Sequence, residues 1–120
     1  MWEIKKTLIE DACKAAENYY PDEFLCFFGG KKEKEIITEI VLLPTYNSED
    51  STSISEASMP IDDTIVGCFH SHPNGANTPS QEDKKFFKKY GINAIVNNPF
   101  NVENTAFYNQ KSVKITVKLV

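Results

Sequence analysis

Arginine is missing from this 120-residue chain: all 13 basic residues are lysines, and the net charge is −4. Guanidinium groups are the usual bidentate readers of guanine and phosphate, so their absence together with an acidic balance argues against nucleic-acid binding. Cysteine is scarce as well. Cys13, Cys26 and Cys68 are odd in number and form no CxxC pair, which suits reduced thiols in a cytoplasmic protein and provides no disulfide framework. Long apolar runs are lacking. Stretches such as residues 40–43 are far too short to cross a bilayer, which needs about 20 residues, so no membrane partner is expected. The first residues mix Glu3, Lys5, Lys6, Glu10 and Asp11 with apolar ones, unlike a signal peptide. There are no repeats and no linker-like segment, and the length fits one domain over residues 1–120 with a single core.

What is present reads as α/β. Ile4, Leu8, Ile9, Ala12, Ala15, Ala16 and Tyr19 recur at helical spacing, predicting a helix over residues 4–20 that stops at Pro21. Trp2 is placed at the start of that apolar stripe. Residues 24–28 read as a buried strand ended by Gly29-Gly30, and residues 35–43 as a second strand forming a hairpin with it. Residues 46–53 are polar and acidic, the expected mobile loop, and residues 52–57 are a short strand candidate. A strand is expected over residues 64–72, a turn-rich loop over 73–79, and a helix over 80–90 with Ser80 as N-cap and Asp83 completing a variant capping box. Strands over 94–97, 102–108 and 112–119 follow.

The chemistry concentrates at one place. The only two histidines stand as His70-Ser71-His72 at the end of a predicted strand. Residues i and i+2 of a strand share a face about 6.6 Å apart along it, so both imidazoles can reach one zinc ion. Asp83, brought back by the intervening loop, suits a third ligand. Two histidines and a carboxylate leave a coordination position for water, the pattern of a hydrolytic site rather than a structural one. The HxHxD run of β-lactamase-type zinc hydrolases fails at Asn74, and the HxE…PCxxC run of zinc deaminases is absent.

These residues resemble a known family. His70-Ser71-His72-Pro73, seven residues between His72 and Ser80, and Ser80-Gln81-Glu82-Asp83 match H-[ST]-H-x7-S-x2-D, the motif of the JAMM, or MPN+, metallopeptidases. Val66-Gly67-Cys68-Phe69 and Thr78-Pro79 resemble the family's flanks, and Pro21-Asp22-Glu23 stands where its upstream glutamate belongs. The resemblance runs from the first helix through the central helix, with the last strands compatible.

It implies a cytidine-deaminase-like α/β sandwich, a mixed and mostly antiparallel sheet flanked by helices. It implies one Zn2+ per chain on His70, His72 and Asp83, with Glu23 as general base and Ser80 stabilising the oxyanion. From the residues alone, Ser80 is sufficiently explained as a helix cap and Glu23 as a carboxylate at a turn. The implied activity is that of a desampylase-like isopeptidase or peptidase cleaving after the C-terminus of a ubiquitin-like modifier. A rival keeps the chemistry but trims an amino acid such as cysteine from the C-terminus of a sulfur-carrier protein, and a third reading is a metal-free scaffold. Cys26 departs from the glycine frequent in the family at that position, and 120 residues leave no room for the insertions of the eukaryotic deubiquitinating members. The chain therefore resembles the minimal microbial form.

Other features have simpler readings. Cys68 should face the same side as the histidines but reads as core packing. Lys84, Lys85, Lys88 and Lys89 read as a solvated helix face, and Phe24, Phe27, Phe28, Phe86 and Phe87 as core.

Overall fold

The computed structural model describes residues 1–42 and 64–120; the expected loop over 46–53 and strand over 52–57 lie outside them. The helix α1 (Lys6–Tyr19) turns Ile9, Ala12, Cys13 and Ala16 inward at spacings of three and four. Its last turn closes with the Tyr20 N–H on Ala16 and Glu17 carbonyls, and Pro21, which lacks an N–H, prevents continuation. The start differs from expectation. Glu3 and Ile4 form a short strand, β1 (Glu3–Ile4), rather than the first helical turn. Ile4 is fully buried and lies opposite Ile37 and Leu119, so sheet pairing overrides helical periodicity there. Trp2 is buried ahead of that strand and not on the helix.

The predicted hairpin is formed by β2 (Leu25–Lys31) and β3 (Ile36–Val41), which run antiparallel. Gly29 and Gly30 do not end β2; they lie within it at a register shift. The reason is close approach: a Cβ on Gly30 would sit 2.0 Å from the Ile36 carbonyl oxygen. Next come β4 (Ile65–His72), α2 (Gln81–Phe87) and β5 (Ile92–Asn97). The helix α2 gives out at Lys88, short of the expected residue 90, and β5 starts two residues earlier than expected. Residues 102–108 divide into a 3-10 turn at Val102–Asn104, capped by Asn101, and β6 (Thr105–Tyr108). Residues 112–119 yield only β7 (Lys114–Ile115) and β8 (Lys118–Leu119).

The described strands form one sheet in the order β7-β6-β5-β4-β2-β3-β1-β8. Its two end strands, β7 and β8, are separated in sequence by Thr116 and Val117 alone, so the sheet must curl until its edges approach. Pairing is mixed: β4 lies parallel to β5, and β1 lies parallel to β3 and β8. The remaining pairs are antiparallel. The sheet separates two apolar clusters. Cys26, Phe28, Phe69, Ala94, Val96 and Phe107 pack with α1, whereas Phe27, Cys68, Ile95, Ala106 and Tyr108 pack with Phe87 of α2. Phe27, Phe28, Phe69 and Phe87 are fully buried, each contributing roughly 1.5–3 kcal/mol. Among the described residues no helix is long and apolar enough to cross a membrane.

The β4–β5 contact carries a tight constraint at Gly67, where a Cβ would lie 2.2 Å from the Ile92 carbonyl oxygen. Gly67→Ala must therefore push two central strands apart. Such overpacking costs about 1–3 kcal/mol, and urea denaturation should show a lowered midpoint.

Candidate metal centre

Alternation along β4 decides which side chains meet α2. Cys68 belongs to the α2-side cluster, so His70 and His72, two and four residues further, emerge on that same face. From the other direction, α2 begins with a complete capping box. The Ser80 hydroxyl accepts the Asp83 N–H at 3.1 Å, and the Ser80 N–H donates to Asp83 Oδ2 at 2.9 Å. The helix start thereby fixes the Asp83 carboxylate before any contact with the histidines.

The three side chains converge. His70 Nε2 lies 3.1 Å from Asp83 Oδ1, and His72 Nε2 lies 3.0 Å from Oδ2. The two Nε2 atoms stand 3.1 Å apart. The far side of the His72 ring settles its tautomer. Nδ1 is 2.9 Å from the Ala76 carbonyl oxygen, which can only accept, so Nδ1 carries the proton and Nε2 of the neutral ring presents a lone pair. That lone pair faces a carboxylate oxygen and another ring nitrogen. A proton can satisfy one or two of these contacts; a cation at the centre satisfies all three. Ligands 2.0–2.1 Å from a tetrahedral centre stand about 3.3 Å apart, so the set needs to open by only a few tenths of an ångström. The His72–Ala76 bond also supplies the outer hydrogen bond that zinc-bound histidines ordinarily have. His70, His72 and Asp83 are the group of described residues able to hold a metal ion, and a borderline-soft ion such as zinc suits the donor types.

Electrostatics follow from the same contacts. The Asp83 hydrogen bond raises the His72 pKa, an effect opposed by burial and reinforced by the Ala76 carbonyl and the charge of Glu23. For Asp83, burial pushes the pKa up. The hydrogen bonds from both histidines, the charge of His70 and the Ser80 N–H outweigh it, holding the carboxyl well below its usual range.

Glu23 is exposed and lies just before β2. Leu25 pairs with His70. One step out, the Phe24 N–H donates to Ser71 Oγ at 2.8 Å and the Ser71 N–H donates to the Phe24 carbonyl at 2.9 Å. Extending this register sets Glu23 opposite His72 and, by alternation, on the face of the histidines; its charge registers at the His72 ring. Ser71 is thus a working residue to which the sequence reading gave no role. Its signal was the hydroxyl side chain between the two histidines. Cys68 is fully buried with its thiol on Asn93 Oδ1 at 3.1 Å, and burial drives its pKa far up. This matches the packing role expected of it.

Residues 5–111 match the family described as prokaryotic homologs of the JAB domain, and the chain belongs to that family. A probable metalloprotease of Haloferax volcanii is 23% identical over 116 aligned residues, covering 89% of this chain and 72% of that protein. A crystal structure of a JAB1/MPN domain protein from Archaeoglobus fulgidus superposes with a TM-score of 0.76 at 26% identity, covering 100% of this chain and 99% of the other. A structure reported as JAMM, a metalloprotease-like zinc site in the proteasome and signalosome, gives a TM-score of 0.76 at 25% identity, with coverage of 100% and 98%. The curled mixed sheet with a helix on each face is the JAMM/MPN fold.

The paired shifts predict how the metal-free protein responds to pH. The raised His72 pKa gives stability that is present below about 6.5 and lost as pH rises through its folded value. The lowered Asp83 pKa gives stability present above about 3.8 and lost as pH falls through its folded value. In EDTA, the melting-temperature advantage of wild type over Asp83→Asn should be largest near pH 5–6 and shrink by about pH 8. Zinc should reverse the high-pH trend for wild type alone, because binding requires the proton to leave His72. Its stabilisation should therefore grow as pH rises, which thermal melts with and without zinc will show.

Proposed function

We propose that the chain is a zinc-dependent peptidase of the isopeptidase type, acting in the cytoplasm on the C-terminal tail of a ubiquitin-like modifier. The observation that carries this reading is the convergence of His70, His72 and Asp83 within 4.8 Å, with Glu23 in register opposite His72. A metal-free scaffold has no use for two histidines and a carboxylate converging on one point, and the complete donor set favours catalysis over that alternative.

Each residue has work consistent with its surroundings. When bound, one zinc ion supplies a Lewis acid and a water able to lose a proton near neutral pH. Glu23, exposed and in register opposite His72, would serve as the base that accepts a proton and returns it to the departing amine, a transfer worth roughly 10²–10⁴ in rate. The Ser80 hydroxyl accepts the Asp83 N–H and retains its own proton to donate to the substrate oxygen as charge develops there. Its capping and oxyanion roles are compatible. Access supports the substrate class. The donor side chains are only 8%, 17% and 17% exposed, so a slender extended chain can reach them and a folded surface cannot. The tail of a ubiquitin-like protein fits that demand.

Glu23→Gln should keep wild-type zinc content and lose about 10²–10⁴ in turnover. The zinc-loaded variant should also retain substrate in lysate, identified by mass spectrometry. Recovery of a ubiquitin-like protein joined to target lysines supports the isopeptidase. A free sulfur carrier bearing one extra C-terminal residue would shift the substrate to that carrier. Equal capture by wild type and variant would contradict catalysis.

A further inference from the structure

Between the last histidine and the helix cap, three consecutive backbone carbonyls are each held by a side chain from a different strand. The Gly75 carbonyl accepts Asn97 Nδ2 of β5 at 3.2 Å, and the Ala76 carbonyl accepts His72 Nδ1 of β4 at 2.9 Å. The Asn77 carbonyl accepts the Tyr108 hydroxyl of β6 at 2.7 Å. The Asn77 side chain adds a fourth tie, donating to the Asn104 carbonyl at 2.9 Å. The carbonyl that fixes the His72 tautomer is therefore bracketed on both sides by anchored neighbours.

The anchors themselves are set by the sheet. Asn97 is the parallel partner of His72 in β5, so both lie at one level on the α2 face. Its Oδ1 is buried with no partner among the described residues. Turning the amide over would set Oδ1 against the Gly75 carbonyl oxygen and lose the one bond the side chain makes. A buried acceptor left unsatisfied is a cost that packing alone does not explain. Tyr108 is buried and stacked on Phe87 at 6.0 Å and 26°, and the Phe87 ring in turn lies 6.0 Å from that of His70.

We propose that Asn97 and Tyr108 are positioning residues: by pinning Gly75 and Asn77 they hold the Ala76 carbonyl on His72 Nδ1, and so keep the His72 Nε2 lone pair aimed at the metal position. The inference rests on the metal-centre reading for its function, but its structural half, the tautomer, is separate. The bonds these two side chains make go to the loop carbonyls and not to the ligands' donor atoms. They act through the loop, which is why no ligand-spacing pattern in the sequence marks them.

The test uses Tyr108→Phe, which removes one oxygen and keeps the stacked ring, together with Asn97→Ala and the double variant. Two quantities are read: zinc affinity by competition with a chromophoric chelator, and the His72 tautomer by long-range 15N–1H correlation in metal-free protein at alkaline pH. Wild type should show only the Nδ1–H form. Each single variant should bind zinc about 10-fold more weakly, in line with outer hydrogen bonds to ligating histidines. The double variant should show the Nε2–H form appearing. Variants that melt lower but keep wild-type zinc affinity and a pure Nδ1–H ring would overturn the proposal, since a merely structural role predicts that result. A mixed tautomer in wild type would overturn it even if zinc binds. Failure of wild type to bind zinc would instead contradict the proposed function, leaving the tautomer assignment standing on its own spectrum.

Discussion

Two imidazole nitrogens and a carboxylate held about a hydrogen bond apart are the constraint around which this molecule is arranged. With the proton of His72 committed to the Ala76 carbonyl on the far side of the ring, the Nε2 lone pair of the neutral ring faces a carboxylate oxygen with no proton between them. The fold nevertheless forces them together from three directions. The strand β4 delivers the histidines in register, the capping box at Ser80 fixes the carboxylate, and the 73–79 loop is anchored so that neither can swing away. An arrangement that turns a ring lone pair and a carboxylate toward one point favours a cation there. A proton supplies part of that charge in the metal-free state, as the opposed shifts of His72 and Asp83 express; a divalent metal supplies all of it.

The same arrangement explains why the site is built at one end of the sheet. The outgoing ends of β4 and β5 and the incoming end of β2 meet there. The parallel β4–β5 pair places His72 beside Asn97, and the antiparallel β2–β4 pair places Glu23 across from His72. Ser71, facing away from the ligands, uses its hydroxyl and its N–H to lock Phe24. One strand end thus carries two candidate ligands and, between them, the clasp that positions the carboxylate proposed as base. The core on either side of the sheet keeps these strand ends rigid, and a one-residue slip of β4 would turn the histidines away from α2.

Much of this was legible in the residues. His70 and His72 could be placed on one face from spacing alone, and Ser80 with Asp83 announced a helix start; both features are as expected. The β2–β3 hairpin and the α1 stripe were equally readable, because their signals are local and periodic. The misreadings share a cause, which is that partners remote in sequence decide the outcome. Ile4 carries helical spacing but is captured by Ile37 and Leu119 from distant strands. Gly29 and Gly30 look like terminators, yet Gly30 is glycine because the backbone of Ile36 passes where a Cβ would be. Residues 112–119 read as one strand, whereas sheet closure divides them between opposite edges. Asn97 and Tyr108 carry no motif because they act on the loop and not on the ligands.

X-ray absorption at the zinc edge of the loaded protein bears most directly on the central claim. The account predicts a first shell of nitrogen and oxygen at about 2.0–2.1 Å, with the outer-shell scattering of two imidazoles, and loss of one imidazole contribution in His72→Ala. A sulfur shell at about 2.3 Å, or a shell without imidazole scattering, would contradict it, because the metal would then be bound somewhere other than His70, His72 and Asp83.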